Sequence, residues 1–415
     1  MSELRVTAHD PARGTPAEGL TIDRLRTLVQ DSHINFLVGA GTPSVFFSRL
    51  GSIEDALTAL AKSTVGDAVK AYVRASLQGY FFEHVLVPNI ELVGRRALAK
   101  EVVTSYATFL RTLNRVLLKR RSSLLGKQAN IFTTNVDMVF EVALELMEID
   151  VNDGFSGKIR PRLDLGEFNT LRFRQGTRYE YRSEIPVVNL FKLHGSAAWR
   201  QGDGNDIFFD HGLAQIEGAL GLYNKAKSEL LEISNPDQVE VDALITAARD
   251  RKLSDSGREF VEAYNALSII NPEKTKFATT VMNQTYYELI RRFANELEKE
   301  NSALFVHGFS FRDEHLRDLV LRAARTNPTL QVVVFCHSRA ARDQLQLLFP
   351  TEQVKNGNIL LVAPVAPKEG DLEKTLSLDV LEADFFAQVV EDKAPASNHV
   401  IELNFIQDAD EQPHV

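Results

Sequence analysis

Cysteine is almost missing from this chain: Cys336 is the single one among 415 residues. One thiol excludes an intrachain disulfide framework and any zinc module built from four thiolates, and it suits a reducing compartment. No apolar run reaches the roughly 18 residues that read as a membrane span. The opening residues, with His9, Asp10 and Arg13 among prolines and glycines, lack the basic and apolar stretches of a secretory leader, so the expectation is a cytoplasmic protein without a membrane partner. A positive excess is missing too. The net charge of −9 argues against a dedicated nucleic-acid binder, so nucleic acid is expected only through a complex.

Strand-length apolar segments alternate with helical spacing along most of the chain. That alternation predicts an α/β fold, a doubly wound, mostly parallel, Rossmann-like sheet. Residues 1–20, rich in Pro, Gly and Thr, read as a flexible N-terminal arm, 21–391 as one domain and 392–415 as a polar tail. Helical patterns at about 67–121 and 211–268 read as large insertions, which self-association could use. Lys119, Arg120 and Arg121 fall at a helix C-terminus, where the dipole favours cations. Residues 171–182 alternate aromatic and basic, reading as a β-hairpin with Arg172, Arg174, Arg178 and Arg182 on one face, suited to solvent, an oligomer contact or a phosphate backbone. The Asp203, Asn205 and Asp206 cluster lacks the spacing of a calcium loop and reads as a turn.

Four stretches carry chemistry. Ile34 to Val38 reads as a buried strand running into Gly39, Ala40, Gly41 and Thr42, where small residues let backbone N–H groups approach a phosphate, or simply make a tight turn. Asn130 to Thr133 runs as a strand into Thr134, Asn135, Val136 and Asp137, placing an amide and a carboxylate at a strand's carboxyl end, where open α/β sheets bind ligands. Val187 to Phe191 leads into Lys192, Leu193, His194, Gly195 and Ser196. Ala303 to His307 leads into Gly308, Phe309, Ser310, Phe311, Arg312, Asp313 and Glu314, with the acids placed to cap a helix.

The joint order of these stretches resembles the sirtuin family, with its Gly-Ala-Gly loop, Asn-x-Asp segment, His-Gly motif and late Gly-x-Ser loop, over roughly residues 30 to 325. More closely it resembles the bacterial sirtuin-like NAD hydrolases of anti-phage defence. Asn271 to Lys274, Tyr286 to Leu289 and Asn295 to Glu300 are similar to the subgroup paired with HerA-type ATPases. The resemblance implies NAD as substrate, no metal, a homo-oligomer and an ATPase partner. It also implies diphosphate contacts from Gly39, Ala40 and Gly41, adenosine contacts from Gly308 and Ser310, and further NAD contacts from Thr42 and Thr134. Two departures steer it away from protein deacylation: the four-cysteine module is absent, and Thr42, Pro43 and Ser44 stand where deacylating sirtuins carry a Phe-Arg pair.

The chemistry fits this expectation. Nicotinamide in NAD is already a cationic leaving group, so cleavage needs no general acid but gains from anchoring, orientation and a placed water. Asn135 is expected to position water and ribose, Asp137 to meet the carboxamide or stabilise charge, and His194 to act as base. An NAD glycohydrolase is the leading expectation. A deacylase or ADP-ribosyltransferase, and a non-catalytic NAD or ADP-ribose sensor, are the alternatives.

Overall fold

Strand-forming segments rich in Val, Ile, Leu and Phe assemble into one nine-stranded mixed sheet. Its strands are β1 (Val6–Asp10), β2 (Thr15–Ala17), β3 (His33–Val38), β4 (Gln128–Thr133), β5 (Val151–Asn152), β6 (Val187–Lys192), β7 (Ser302–His307), β8 (Gln331–Phe335) and β9 (Ile359–Pro364). They lie in the order β2-β1-β9-β8-β7-β3-β4-β6-β5. The seven strands from β9 to β5 run parallel, and β1 and β2 add antiparallel at one edge. The computed structural model describes residues 6–12, 15–17, 20–48, 53–120, 124–178, 180–202, 206–269, 282–350, 354–367, 374–390 and 403. Apart from Leu403, the expected tail lies outside them, as does the resembling stretch 271–274. Among the described residues no helix is long and apolar enough to cross a membrane.

The helices are α1 (Ile22–Asp31), α2 (Ile53–Lys62), α3 (Asp67–Phe81), α4 (Pro88–Val93), α5 (Lys100–Leu118), α6 (Val139–Leu146), α7 (Ala214–Ala226), α8 (Val241–Ala248), α9 (Asp255–Asn265), α10 (Met282–Glu298), α11 (Glu314–Thr326) and α12 (Arg339–Gln346). Strand residues alternate between two cores, because successive side chains leave opposite faces of a sheet. Phe36, Ile131, Leu190, Phe305 and Val333 meet residues of α1, α5, α6 and the segment 378–389. Leu37, Phe132, Phe191, Leu304 and Val332 meet α10, α11 and α12. Both faces of the sheet are therefore covered, which is why its central strands are mostly apolar on both sides.

Register on the second face is marked by asparagine. Asn35, Asn130, Asn189 and Asn152 stand opposite one another across β3, β4, β6 and β5. Asn130 Nδ2 donates to Asn35 Oδ1 at 2.8 Å and Asn189 Nδ2 to Asn130 Oδ1 at 2.8 Å. Two residues further along, Phe132 stacks on Phe191 with centroids 4.5 Å apart. A one-residue slip of β4 would break both rows.

Three expectations need correction. The segment expected as a flexible arm supplies β1 and β2: β1 pairs with β9, Ala8 opposite Val362, and covers an edge that would otherwise be open. Within the expected insertion 67–121, α5 is instead a layer of the main core, burying Val102, Val103, Tyr106 and Leu110 over the sheet. The hairpin forms from Phe173–Gln175 and Arg182–Glu184, but its single basic face does not. Gln175 lies opposite Arg182 and Arg174 opposite Ser183, so Arg174 and Arg182 leave opposite sides.

The remaining inserted helices share two cores of their own. Leu57 and Leu60 of α2, Tyr72, Val73 and Leu77 of α3, and Ile245 and Ala248 of α8 form one. Phe82, Tyr223, Phe260 and Tyr264 form another, together with Val136, Met138, Ala197 and Ala198 from loops at the carboxyl edge of the sheet. The two insertions thus make one helical module seated over those loops.

Candidate active site

The chain leaves β3 toward β4 on one side, and leaves β7 toward β8 on the other. Adjacent carboxyl ends whose connections diverge open a crevice, the place where open α/β sheets hold ligands. The loops after β3 and β7 meet there backbone to backbone. Gly39 N–H donates to the His307 carbonyl at 3.0 Å and Gly41 N–H to the Gly308 carbonyl at 2.9 Å. A Cβ on Gly39 would fall 2.5 Å from Gly308 O, and one on Gly308, whose φ is +65°, would fall 2.3 Å from Thr42 Oγ1. These glycines are needed for the closeness of the two loops. Because the Gly39, Gly41 and Thr42 amides are already engaged inside the protein, the close approach they allow serves the loop junction first.

Thr42 and His307 lock this junction. The His307 ring lies between the Thr42 hydroxyl, 2.9 Å from Nδ1, and the Leu376 carbonyl, 3.1 Å from Nε2. A carbonyl only accepts, so Nε2 carries the proton and the Thr42 hydroxyl donates to Nδ1. Burial pushes the His307 pKa down to about 4, keeping the ring neutral.

The loop after β4 brings Asn135 to the same crevice. Thr133 Oγ1 donates to the Val38 carbonyl at 2.9 Å and accepts from Asn135 N–H at 3.0 Å, so the turn is pinned to β3. Thr134 N–H reaches the Val38 carbonyl at 3.3 Å. Asn135 Nδ2 donates to the Gly39 carbonyl at 3.2 Å, while its buried Oδ1 has no partner among the described residues. A buried acceptor left unmade is costly, and Asn135 Oδ1 is one such acceptor on a loop at this carboxyl edge. Asp137 is 4 % exposed and accepts from Val139 N–H at 3.1 Å, in the turn that leads into α6. Burial raises its pKa against the pull of Lys192.

His194 arrives on the loop after β6, tied to its neighbour by Ala197 N–H donating to the Val136 carbonyl at 2.8 Å. His194 Nε2 lies 3.3 Å from Asp313 Oδ2, at an angle too poor for a formed hydrogen bond. The contact is electrostatic. Burial alone would raise the Asp313 pKa, yet His194 and the Leu316 N–H hold it below the usual carboxylate range. Ser310 is exposed, and its Oγ accepts from Arg312 N–H at 3.5 Å. Ala40 is half-buried. Gly39, Gly41, Thr42, Thr134, Asn135 and Gly308 are therefore joined by direct contacts, and His194 joins them through its own loop, which is tied to the neighbouring one where Ala197 N–H meets the Val136 carbonyl.

Sequence reasoning passed over four participants. Asp313 was expected only as a helix cap, which it also is: its Oδ1 accepts from Leu316 N–H at 3.2 Å. Lys192 ends a wholly buried strand, a position lysine occupies only when paired, and that mismatch was the available signal. Glu141 and Tyr106, on helices expected as ordinary, complete a buried polar cluster with Lys192 and Asp137. No protein-family model matches the chain, and no curated protein is detectably similar to it.

Proposed function

We propose that this chain is an NAD glycohydrolase with a Rossmann-like site, cleaving NAD to nicotinamide and ADP-ribose. The observation that carries the reading is the convergence of Asn135, with its unpartnered Oδ1, and the His194–Asp313 contact at the carboxyl edge where β3 and β7 diverge. The arrangement suits the chemistry. Asn135 Oδ1 accepts a hydrogen bond from the attacking water. The water oxygen bonds to the ribose anomeric carbon as the bond to nicotinamide breaks, the ring nitrogen keeps the electron pair, and the water's proton passes to His194. Asp313, facing Nε2, favours the tautomer that leaves Nδ1 free to accept that proton and steadies the imidazolium.

Motif order extends the proposal. Its resemblance to sirtuin-like defence hydrolases supports NAD depletion against phage, in a homo-oligomer working with a HerA-type ATPase. The lone cysteine supports hydrolysis over zinc-dependent deacylation. The test is release of nicotinamide and ADP-ribose by wild type, Asn135→Ala and His194→Ala, with and without the ATPase and DNA. Release that vanishes in both variants is expected. NAD that binds yet stays intact under every condition would replace this reading with that of a sensor.

A further inference from the structure

Lys192 is 3 % exposed, and its ammonium is surrounded by oxygens of the site's own scaffold. It donates to the Asp137 carbonyl, lies 3.4 Å from the Asn135 carbonyl, and pairs with Glu141 Oε1 at 3.2 Å. Glu141 Oε2 and the Tyr106 hydroxyl are both buried without a hydrogen-bond partner among the described residues. Four ionisable side chains, from β6, the loop after β4, α6 and α5, are thus enclosed behind the segment that presents Asn135. Two of the three backbone carbonyls of that segment, those of Asn135 and Asp137, face this one cation.

We propose that Lys192 is the positioning residue of the Asn135–Asp137 segment, and that ionisation of Glu141 sets that segment in its working state. The inference rests on the proposed NAD cleavage and adds its regulation by pH. An ionised Glu141 fixes the ammonium that holds the two carbonyls. It also adds one negative charge to the cluster of Lys192, Asp137 and Glu141, behind the place where ribose becomes cationic. Burial raises the Glu141 pKa to about 7 against the pull of Lys192, so the change falls in the neutral range. The groups facing Glu141 are Lys192 from β6 and Asp137 from the loop after β4; Tyr106 from α5 faces Asp137 in turn.

The experiment measures nicotinamide release by the full chain, with the ATPase where it is required, from pH ~5.5 to ~8.5. Wild-type kcat is expected to rise about tenfold across neutral pH, the size of one unscreened charge acting nearby. In Glu141→Gln that rise disappears while KM stays put. The double variant Lys192→Met with Glu141→Gln removes the ion pair as a unit, so neither of its two members is left charged alone; it is expected to fold, by circular dichroism, and to keep only the low rate. A readout independent of turnover is NMR of the amides of Asn135 and Val136, which are expected to shift as the Glu141 carboxyl titrates near neutral pH. Should Glu141→Gln keep the wild-type profile, the rise belongs to another group and this inference fails while NAD cleavage stands. Should wild type release no nicotinamide, the parent reading fails, and amides that do not move with Glu141 would sink the positioning claim separately.

Discussion

His194 and Asp313 approach within 3.3 Å, Nε2 to Oδ2, although they stand on loops that leave different strands, β6 and β7. Asp313 also caps α11, so charge and cap can be separated by substitution. Asparagine caps a helix as well as aspartate does. Asp313→Asn is expected to keep stability within about 0.5 kcal/mol while lowering kcat about tenfold to a hundredfold. Asp313→Ala should add a loss of about 1 kcal/mol. Urea denaturation beside NAD turnover distinguishes the two effects.

Asn135→Ala removes the unpartnered Oδ1 and one hydrogen bond to the Gly39 carbonyl. The expected result is a folded protein, changed by no more than about 1 kcal/mol in stability, whose hydrolysis falls at least about a hundredfold. A variant that unfolds, or one that stays active, contradicts the role given to this amide.

Glycine substitutions should sort by their surroundings. Gly308→Ala forces a Cβ to 2.3 Å from Thr42 Oγ1 at a φ of +65°, and is expected to cost about 2 kcal/mol or more and to abolish hydrolysis. Gly221→Ala, in the exposed middle of α7 with nothing within 4 Å, should stabilise by about 0.5 to 1 kcal/mol. Thermal melting of both variants provides the comparison.

Stability should fall in mild acid through His307. Its folded pKa, held at about 4 by burial, lies below the unfolded value near ~6.5, so the unfolded chain binds the proton first. The contribution is whole above the unfolded value and is lost as pH falls from ~6.5 toward about 4, about 2 kcal/mol by pH ~5. His307→Gln is expected to show a shallower loss between pH ~7 and ~5 in urea titrations.

The asparagine row gives a stability test far from the crevice. Asn130→Leu leaves Asn35 Oδ1 and Asn189 Nδ2 without their partners and should cost about 2 to 4 kcal/mol. Replacing Asn35, Asn130 and Asn189 together by leucine should cost less than three single losses combined, because no polar group is orphaned within the trio.

The alternation of helix and strand was legible because period and length mark a buried parallel strand, and Ile34–Val38 and Val187–Phe191 fall within observed strands. The crevice was legible as strand ends followed by small or polar residues. Pairing between distant segments was not. Nothing local in Val6–Asp10 announces that β9 needs an edge partner, and no periodicity ties Asp313 to His194 across 119 positions of chain. Asn35, Asn130 and Asn189 read singly as interruptions of apolar strands; only register makes them partners.

The loop junction of Gly39 with Gly308, and the contact of His194 with Asp313, also fix a timetable. Both unite the first or middle part of the chain with residues beyond 300, so loop closure over long separations must precede any working crevice. During synthesis β3, β4 and β6 with their asparagine row, and the helical module, can gather while β7 is still unmade. The emerging chain therefore has the scaffold of the site well before its chemistry. A polypeptide whose proposed reaction destroys a metabolite the cell depends on acquires that capacity only once synthesis has passed Asp313.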